Sequence, residues 1–256
     1  MNFQIISLAG LVVCCTYFIA GFVDSVCGGG GLITVPALMA IGVPTHMVMG
    51  TNQSSIIAGG FVSFFTYLKS KKIYFLSAIA ALPLSMIGSY FGAELNMLMP
   101  EKYLQYIMLG LVPVIAVFMI VKKDIGTTME IETLSKPRIV LVSCLAGLAI
   151  GLYQGFYGPG SGMFSMFCFS VFLKLDLLHA NGNTKFVVMF STIVASLNYA
   201  LSGNVILKIV ILATIFNMIG SYCGAKYAIK KGTRGIRPIM FIIIAGLMVK
   251  IVADII

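Results

Sequence analysis

The run Met86-Ile87-Gly88-Ser89-Tyr90-Phe91-Gly92-Ala93-Glu94 returns 132 residues later as Met218-Ile219-Gly220-Ser221-Tyr222-Cys223-Gly224-Ala225-Lys226. The same shift lays Gly50-Thr51-Asn52-Gln53 on Gly182-Asn183-Thr184-Lys185, and Tyr67 with Ser70 on Tyr199 with Ser202. Upstream the shift falls to 130, pairing Gly21 with Gly151, Asp24 with Gln154, and Gly28-Gly29-Gly30-Gly31 with Gly158-Pro159-Gly160-Ser161. A chain that repeats itself over such a length folds as two like halves, and an apolar repeat with one glycine-rich break per half points to membrane transport.

Those halves face lipid rather than water. Apolar residues make up 59% of the chain and charged residues only 10%, with a mean hydropathy of +1.04, which is too little polar surface to coat a soluble domain. Roughly 20 apolar residues cross a hydrocarbon core, so the chain has room for about eight spans with short connections. Apolar stretches run over 5–26, 32–43, 56–68, 73–93 and 103–121, then, after a polar loop, over 139–156, 163–173, 186–201, 205–228 and 236–252. The expected organisation is a single transmembrane domain over 1–256, with a first repeat over 1–122, a cytoplasmic loop over 123–138 and a second repeat over 139–256. The N-terminal stretch lacks the basic residues of a signal peptide and reads as a retained helix. Cys14, Cys15, Cys27, Cys144, Cys168 and Cys223 lie in apolar segments without metal-ligand spacing, which points to packing rather than to disulfides or zinc.

Lys and Arg in short loops mark the cytoplasmic side. Lys69, Lys71 and Lys72 crowd one loop of the first half, whereas the equivalent loop of the second half holds only Lys208. Conversely, Lys226, Lys230, Lys231, Arg234 and Arg237 stand where the first half has Glu94, Glu101 and Lys102. The halves are therefore expected upside down relative to each other, which requires an odd number of crossings in each. Three ordinary spans supply the odd number, so the glycine-broken pair adds zero, as a re-entrant hairpin, or two. The fold class that follows is an all-α polytopic membrane protein of two inverted-topology repeats, each a glycine-broken helical hairpin plus three transmembrane helices. The central loop comes out cytoplasmic and both termini extracytoplasmic. The net charge of +9 then reflects orientation in the bilayer and contact with anionic lipid, and no nucleic-acid partner is expected.

Non-helical backbone within hydrocarbon must be buried in protein or line a water-filled cavity, since its amides have no other partners. Gly28, Gly29, Gly30 and Gly31 let a ligand approach the backbone, and the short helix after them turns free N–H groups and its positive end towards the break. Gly158, Pro159, Gly160, Ser161 and Gly162 repeat the arrangement, with Pro159 ending a helix and Ser161 offering an N-cap or a ligand hydroxyl. Such a pair of breaks favours a small anion; the plainer alternative is that the glycines only allow close helix packing. Asp24 is the only acid in the first-half spans before Glu94, and a carboxylate at the bilayer centre costs at least ~2.5 kcal/mol. It reads as a proton or cation coupling site, or as a cap on the broken helix; Gln154, in the equivalent place, has no titratable proton. Thr51, Asn52 and Gln53 open a span opposite Asn183, Thr184 and Lys185 and are candidates to complete the pocket, although a lysine there equally fits one reaching for the interface. His46 and His179 fall in connecting turns without ligand spacing, and no metal is expected. Gly88 with Gly92 and Gly220 with Gly224 form GxxxG faces suited to internal packing or to a homodimer.

Taken in order, the stretches Gly21-Phe22-Val23-Asp24-Ser25-Val26-Cys27-Gly28-Gly29-Gly30-Gly31-Leu32-Ile33-Thr34-Val35-Pro36-Ala37-Leu38, Gly50-Thr51-Asn52 and Gly155-Phe156-Tyr157-Gly158-Pro159-Gly160-Ser161-Gly162 resemble the TauE/SafE sulfite-exporter family, over nearly the whole chain. The resemblance implies a bacterial or archaeal inner-membrane permease that exports small sulfur-containing anions such as sulfite, sulfoacetate or related sulfonates. Many relatives carry Asp at the position of Gln154 and Lys at that of Gln53. This chain departs from both, which bears on proton stoichiometry and pocket charge.

No nucleotide-binding motif is present to drive a cycle, so the expectation is gradient-coupled secondary transport without a cofactor, by rocking of the two halves around a midplane site. The site residues expected to touch the cargo are Gly28 to Gly31, Thr51, Asn52, Gly158, Gly160, Ser161, Gly162 and Lys185, with Asp24 and Gln154 at the coupling positions. An anion-selective channel built on the same loops is the rival reading. An enzyme is not expected, because Asp24 has no catalytic partner at a visible spacing.

Overall fold

The computed structural model describes residues 3–100 and 126–255; the expected span over 103–121 and the loop residues Lys122 and Lys123 lie outside the described residues. Nine α-helices are found among them: α1 (Phe3–Cys27), α2 (Gly31–Ala40), α3 (Thr45–Lys69), α4 (Phe75–Leu98), α5 (Lys136–Phe156), α6 (Ser161–Phe172), α7 (Leu177–Leu201), α8 (Leu207–Lys231) and α9 (Thr233–Ile255). Five of them, α1, α4, α5, α7 and α8, are long and apolar enough to cross a membrane, while α2 and α6 are the short apolar helices that follow the glycine breaks.

Helices α3 and α7 begin 11 and 9 residues before the apolar stretches expected at 56 and 186. Their second and third turns carry Thr51, Asn52, Gln53, Asn181, Asn183, Thr184 and Lys185, all buried. Polar residues that face the bundle interior depress local hydropathy without ending the helix. Pro44 precedes the first residue of α3, and the Asp176 side chain caps α7 by accepting the His179 amide at 3.4 Å. His46 and His179, expected in turns, are therefore inside the first turns of helices.

The duplicated motif packs each half onto the first helix of the other. Helix α4 lies along α5, and α1 along α8. A Cβ on Gly88 would stand 2.7 Å from the Leu148 carbonyl oxygen, and Gly147, Gly151 and Gly155 press on the backbone of Ala81, Ser85 and Ser89. In the second interface Gly220 meets the Phe18 backbone and Gly224 that of Phe22, while Gly21 faces Asn217 and Ser221. Small residues let these backbones touch, and the GxxxG faces are filled within the chain.

Pairings across the interfaces give the direction of each helix. Between α3 and α7, Ser54 bonds Ser196 at 2.8 Å, the Phe64 and Phe186 rings lie 5.4 Å apart and the Tyr67 hydroxyl accepts from Asn181 at 2.7 Å, so numbers fall on one helix as they rise on the other. These counterparts run antiparallel. Thr51 with Ile206 and Ser55 with Thr214 make α3 and α8 parallel; Ser77 with Asn183 and Ser89 with Ser191 make α4 and α7 parallel. Tyr17 with Asn52 and Ser25 with Ser63 make α1 and α3 parallel as well. The chain must come back between α1 and α3, and only residues 28–44, which contain α2, are available to bring it.

One end of the bundle gathers the basic loops. Gly182 packs on the Lys72 carbonyl, the Leu177 amide donates to the Gly126 carbonyl at 3.0 Å, and Lys174 lies 3.7 Å from Glu130. Given the helix directions, Lys69, Lys71, Lys72, Lys136, Arg138, Lys226, Lys230, Lys231, Arg234 and Arg237 share that end, and Lys208 lies at the other.

Candidate functional site

Helix α1 stops at Cys27 because Gly28 turns to φ +79, a conformation that only glycine adopts without steric cost. Gly160 takes φ +78 immediately before α6. The two breaks touch: a Cβ on Gly28 would lie 2.5 Å from the Gly162 Cα, and one on Gly31 would lie 2.8 Å from the Pro159 Cα. Side chains at these points would drive the halves apart, which is why the breaks are glycine on both sides.

Beside that contact is a small cavity, about 30 Å³ open to the centres of water molecules, enough for about two waters. Asp24, Gly28 and Gly31 line it from the first half, and Gln154, Gly158, Gly160 and Ser161 from the second. Asn52 and Gly60 on α3 and Lys185 and Thr192 on α7 close its sides. Residues 52–60 and 185–192 bracket the middle of two 25-residue helices, so the cavity sits midway along the bundle. Helices α2 and α6 both start at its wall. Some first-turn amides are used within the breaks, Leu32 donating to the Gly29 carbonyl, Ile33 to that of Gly30 and Ser161 to that of Gly158, and the positive ends of two helices converge on one space.

Among the described residues, the one ammonium on the lining belongs to Lys185, which is 4% exposed. Its Nζ lies 2.8 Å from Asp24 Oδ2 and also donates to the Asp24 backbone carbonyl. Either charge alone would leave an uncompensated ion inside the bundle, at a cost of several kcal/mol; each accounts for the presence of the other. Asp24, which has no visible partner in sequence, is thus paired across the halves, and Lys185 points inward rather than to an interface. The Asp24 side chain is 30% exposed, so it is the more open member of the pair.

The sequence-equivalent positions hold the same relation without charge. Gln53 Nε2 donates to the Gln154 backbone carbonyl at 2.8 Å, as Lys185 does to that of Asp24, and Gln154 Nε2 donates to Gln53 Oε1 at 2.9 Å. Gln154 also donates to the Thr192 hydroxyl at 2.7 Å and accepts from the Ser161 hydroxyl. Ser161 thus serves Gln154 rather than capping α6. One wall of the cavity is an ion pair and the opposite wall an amide and hydroxyl network.

Four of the expected residues lie off the cavity wall. Thr51 accepts the Ile206 amide at 3.0 Å, just as its counterpart Asn183 accepts the Tyr74 amide at 2.8 Å. Gly29 packs on Met163 and Ile243, Gly30 on the backbone of Ala20 and the Cβ of Asp24, and Gly162 on Gly28. Asn52 does reach the lining, its Oδ1 accepting from the Thr34 hydroxyl at 2.6 Å. Thr192 was missed as a site residue, and Gln53, expected to help complete the pocket, stands behind its wall on Gln154. Thr192 follows Lys185 by seven residues, two helical turns along the same face, and Gln53 is the repeat partner of Lys185.

A family model described as sulfite exporter TauE/SafE matches residues 13–251. The chain is 30% identical over 237 residues to a probable membrane transporter protein, ORF9, of a Sinorhizobium species, covering 93% of this chain and 90% of the relative. It is 28% identical over 236 residues to the probable membrane transporter protein YfcA of Escherichia coli K12, covering 92% and 87%. A probable membrane transporter protein of Haemophilus influenzae is 26% identical over 243 residues, covering 95% and 94%. No solved structure matches the chain.

Proposed function

The chain belongs to the sulfite exporter TauE/SafE family and is a membrane transporter, and from that premise we propose that it exports small sulfur-containing anions such as sulfite, sulfoacetate or related sulfonates by gradient-coupled alternating access. The observation that carries this reading is the cavity between the two breaks, where two helix N-termini and the Lys185 ammonium meet. All three favour a small negative ligand. The uncharged Gln154, Ser161 and Thr192 wall suits hydrogen bonds to the oxygens of a sulfo group. In this reading Asp24 is the coupling carboxylate, Gln154 its non-titrating counterpart, and the two halves form inverted repeats that rock about the site. The reversed course of α3 relative to α7 supports the inversion. The basic end of the bundle faces the cytoplasm of a prokaryotic inner membrane, which puts both termini outside.

The test is flux of sulfite and sulfoacetate in proteoliposomes, with and without an imposed pH gradient, for the native protein and for Asp24→Asn. Accumulation that requires both the gradient and Asp24 is expected, with anion binding retained in the variant. Fast flux indifferent to the gradient would replace this reading with an anion channel.

A further inference from the structure

We propose that Lys185 is a shared counter-ion, held by Asp24 while the cavity is empty and given over to the anion when Asp24 takes up a proton, so that one proton and one anion bind together. This rests on the reading above, in which the cavity is the transport site, and adds to it the sign and the number of the coupling.

The sign follows from a single ammonium facing two possible anions. An anion entering beside an ionised Asp24 would set two negative charges against one positive charge in a small space between helices. With Asp24 protonated, the same anion meets the ammonium, two helix ends and a new O–H donor. Protonation therefore favours anion binding, and anion binding favours protonation by the same factor. The geometry suits the exchange. Lys185 has two acceptors on Asp24, the carboxylate at 2.8 Å and the backbone carbonyl. The carbonyl keeps its place when the carboxylate is neutralised, so the ammonium stays anchored at the cavity wall. Asp24 is 30% exposed where Lys185 is 4% exposed, which puts the group that must gain a proton on the open side.

The number follows from the opposite wall, where Gln154 and Gln53 occupy the equivalent places and neither titrates. Among the described residues, no other carboxylate, imidazole or ammonium lines the cavity. Helix α1 adds the Cys27 thiol and the Tyr17 phenol, α3 the Tyr67 phenol and α5 the Tyr153 and Tyr157 phenols, all neutral in ordinary solution chemistry. Helix α2 has no titratable side chain and α6 only the Cys168 thiol. From α7 the pair is faced by Lys185 itself; α8 turns Asn217 and Ser221 to α1, while its Lys226 lies over the Tyr222 ring, and α9 meets the break through Ile243. Anion and proton are then bound together and cross in the same direction, so export is driven by the anion's own outward gradient against the inward proton gradient, and acid outside drives the anion inwards.

The test is calorimetric titration of the purified full-length protein with sulfoacetate, whose own protonation does not change near neutral pH, in two buffers of different ionisation heat. Native protein is expected to take up about one proton per anion at the alkaline end, with affinity falling by up to tenfold per pH unit as pH rises. Asp24→Asn should abolish the uptake and make affinity independent of pH. Because that variant leaves a buried ammonium without its carboxylate, Asp24→Gln combined with Lys185→Gln, which copies the amide pair of Gln154 and Gln53, is the companion variant and should bind no sulfoacetate. Binding by the native protein without proton uptake, or with proton release, overturns this inference and leaves the transport reading standing. Failure of sulfoacetate, sulfite and methanesulfonate alike to bind the native protein overturns that reading and this inference with it.

Discussion

At the scale of single residues the ion pair between Asp24 and Lys185 is the contact with the most at stake. Replacing Lys185 by Met removes a charge that is 4% exposed and strands a carboxylate that is 30% exposed. Breaking a fully buried pair costs 3–5 kcal/mol, and the partial exposure of Asp24 places the expected loss near the lower end, about 3 kcal/mol. Thermal unfolding in detergent should register it, and Asp24→Asn in the same background should recover part of the loss, the difference being the coupling of a double-mutant cycle. Thr51 makes the contrasting case. Its hydroxyl accepts the Ile206 amide, so Thr51→Val should cost about 1 kcal/mol and leave anion affinity unchanged; a large fall in affinity would instead place Thr51 at the cargo. Residue identity and repeat position together made Asp24, Asn52 and Lys185 legible as candidates. The pairing of Asp24 with Lys185, 161 residues apart, was not legible, because each charge taken alone has a plausible solution at a helix cap or a membrane interface.

At the scale of elements, the two glycine breaks and the short helices after them were readable as breaks in apolar runs. The starts of α3 and α7 were not, since hydropathy cannot tell a polar residue in a loop from one turned into a helical bundle. The same limit hid the first-turn placement of His46 and His179. The glycine faces of α4, α5 and α8 carry a different prediction. A Cβ on Gly151 would meet the Ser85 backbone, and backbone cannot step aside as a flexible side chain can. Gly151→Leu should separate α4 from α5 and cost at least about 1–3 kcal/mol, seen as a lower unfolding temperature and loss of a monodisperse peak in detergent. The exposed Leu145, one helical face away on α5 and 60% exposed, is the matched control, and Leu145→Ala should change neither.

At the scale of the whole molecule, the helix directions sort the basic loops to one end and 201–206 to the other. On the proposed orientation, a cysteine replacing Leu201, which is 88% exposed, should react with a membrane-impermeant maleimide added to intact cells, and one replacing the exposed Lys231 should react only after the membrane is opened. Labelling of the native cysteines sets the background, and the opposite pattern would reverse the orientation.

Apolarity, duplication and the placement of lysines in loops are properties of short stretches, so the sequence by itself determined the membrane setting, the internal duplication, the glycine breaks and the polar residues to watch. Which polar residues share a space depends on how helices far apart in the chain pack, and no local pattern encodes it. Only the tertiary structure decided that the breaks touch at Gly28 and Gly162, that Asp24 meets Lys185 while Gln154 meets Gln53, and that Thr51 accepts the Ile206 amide while Gly30 packs on Ala20: close helix packing permits one partner at each point, and that choice is made by the whole bundle.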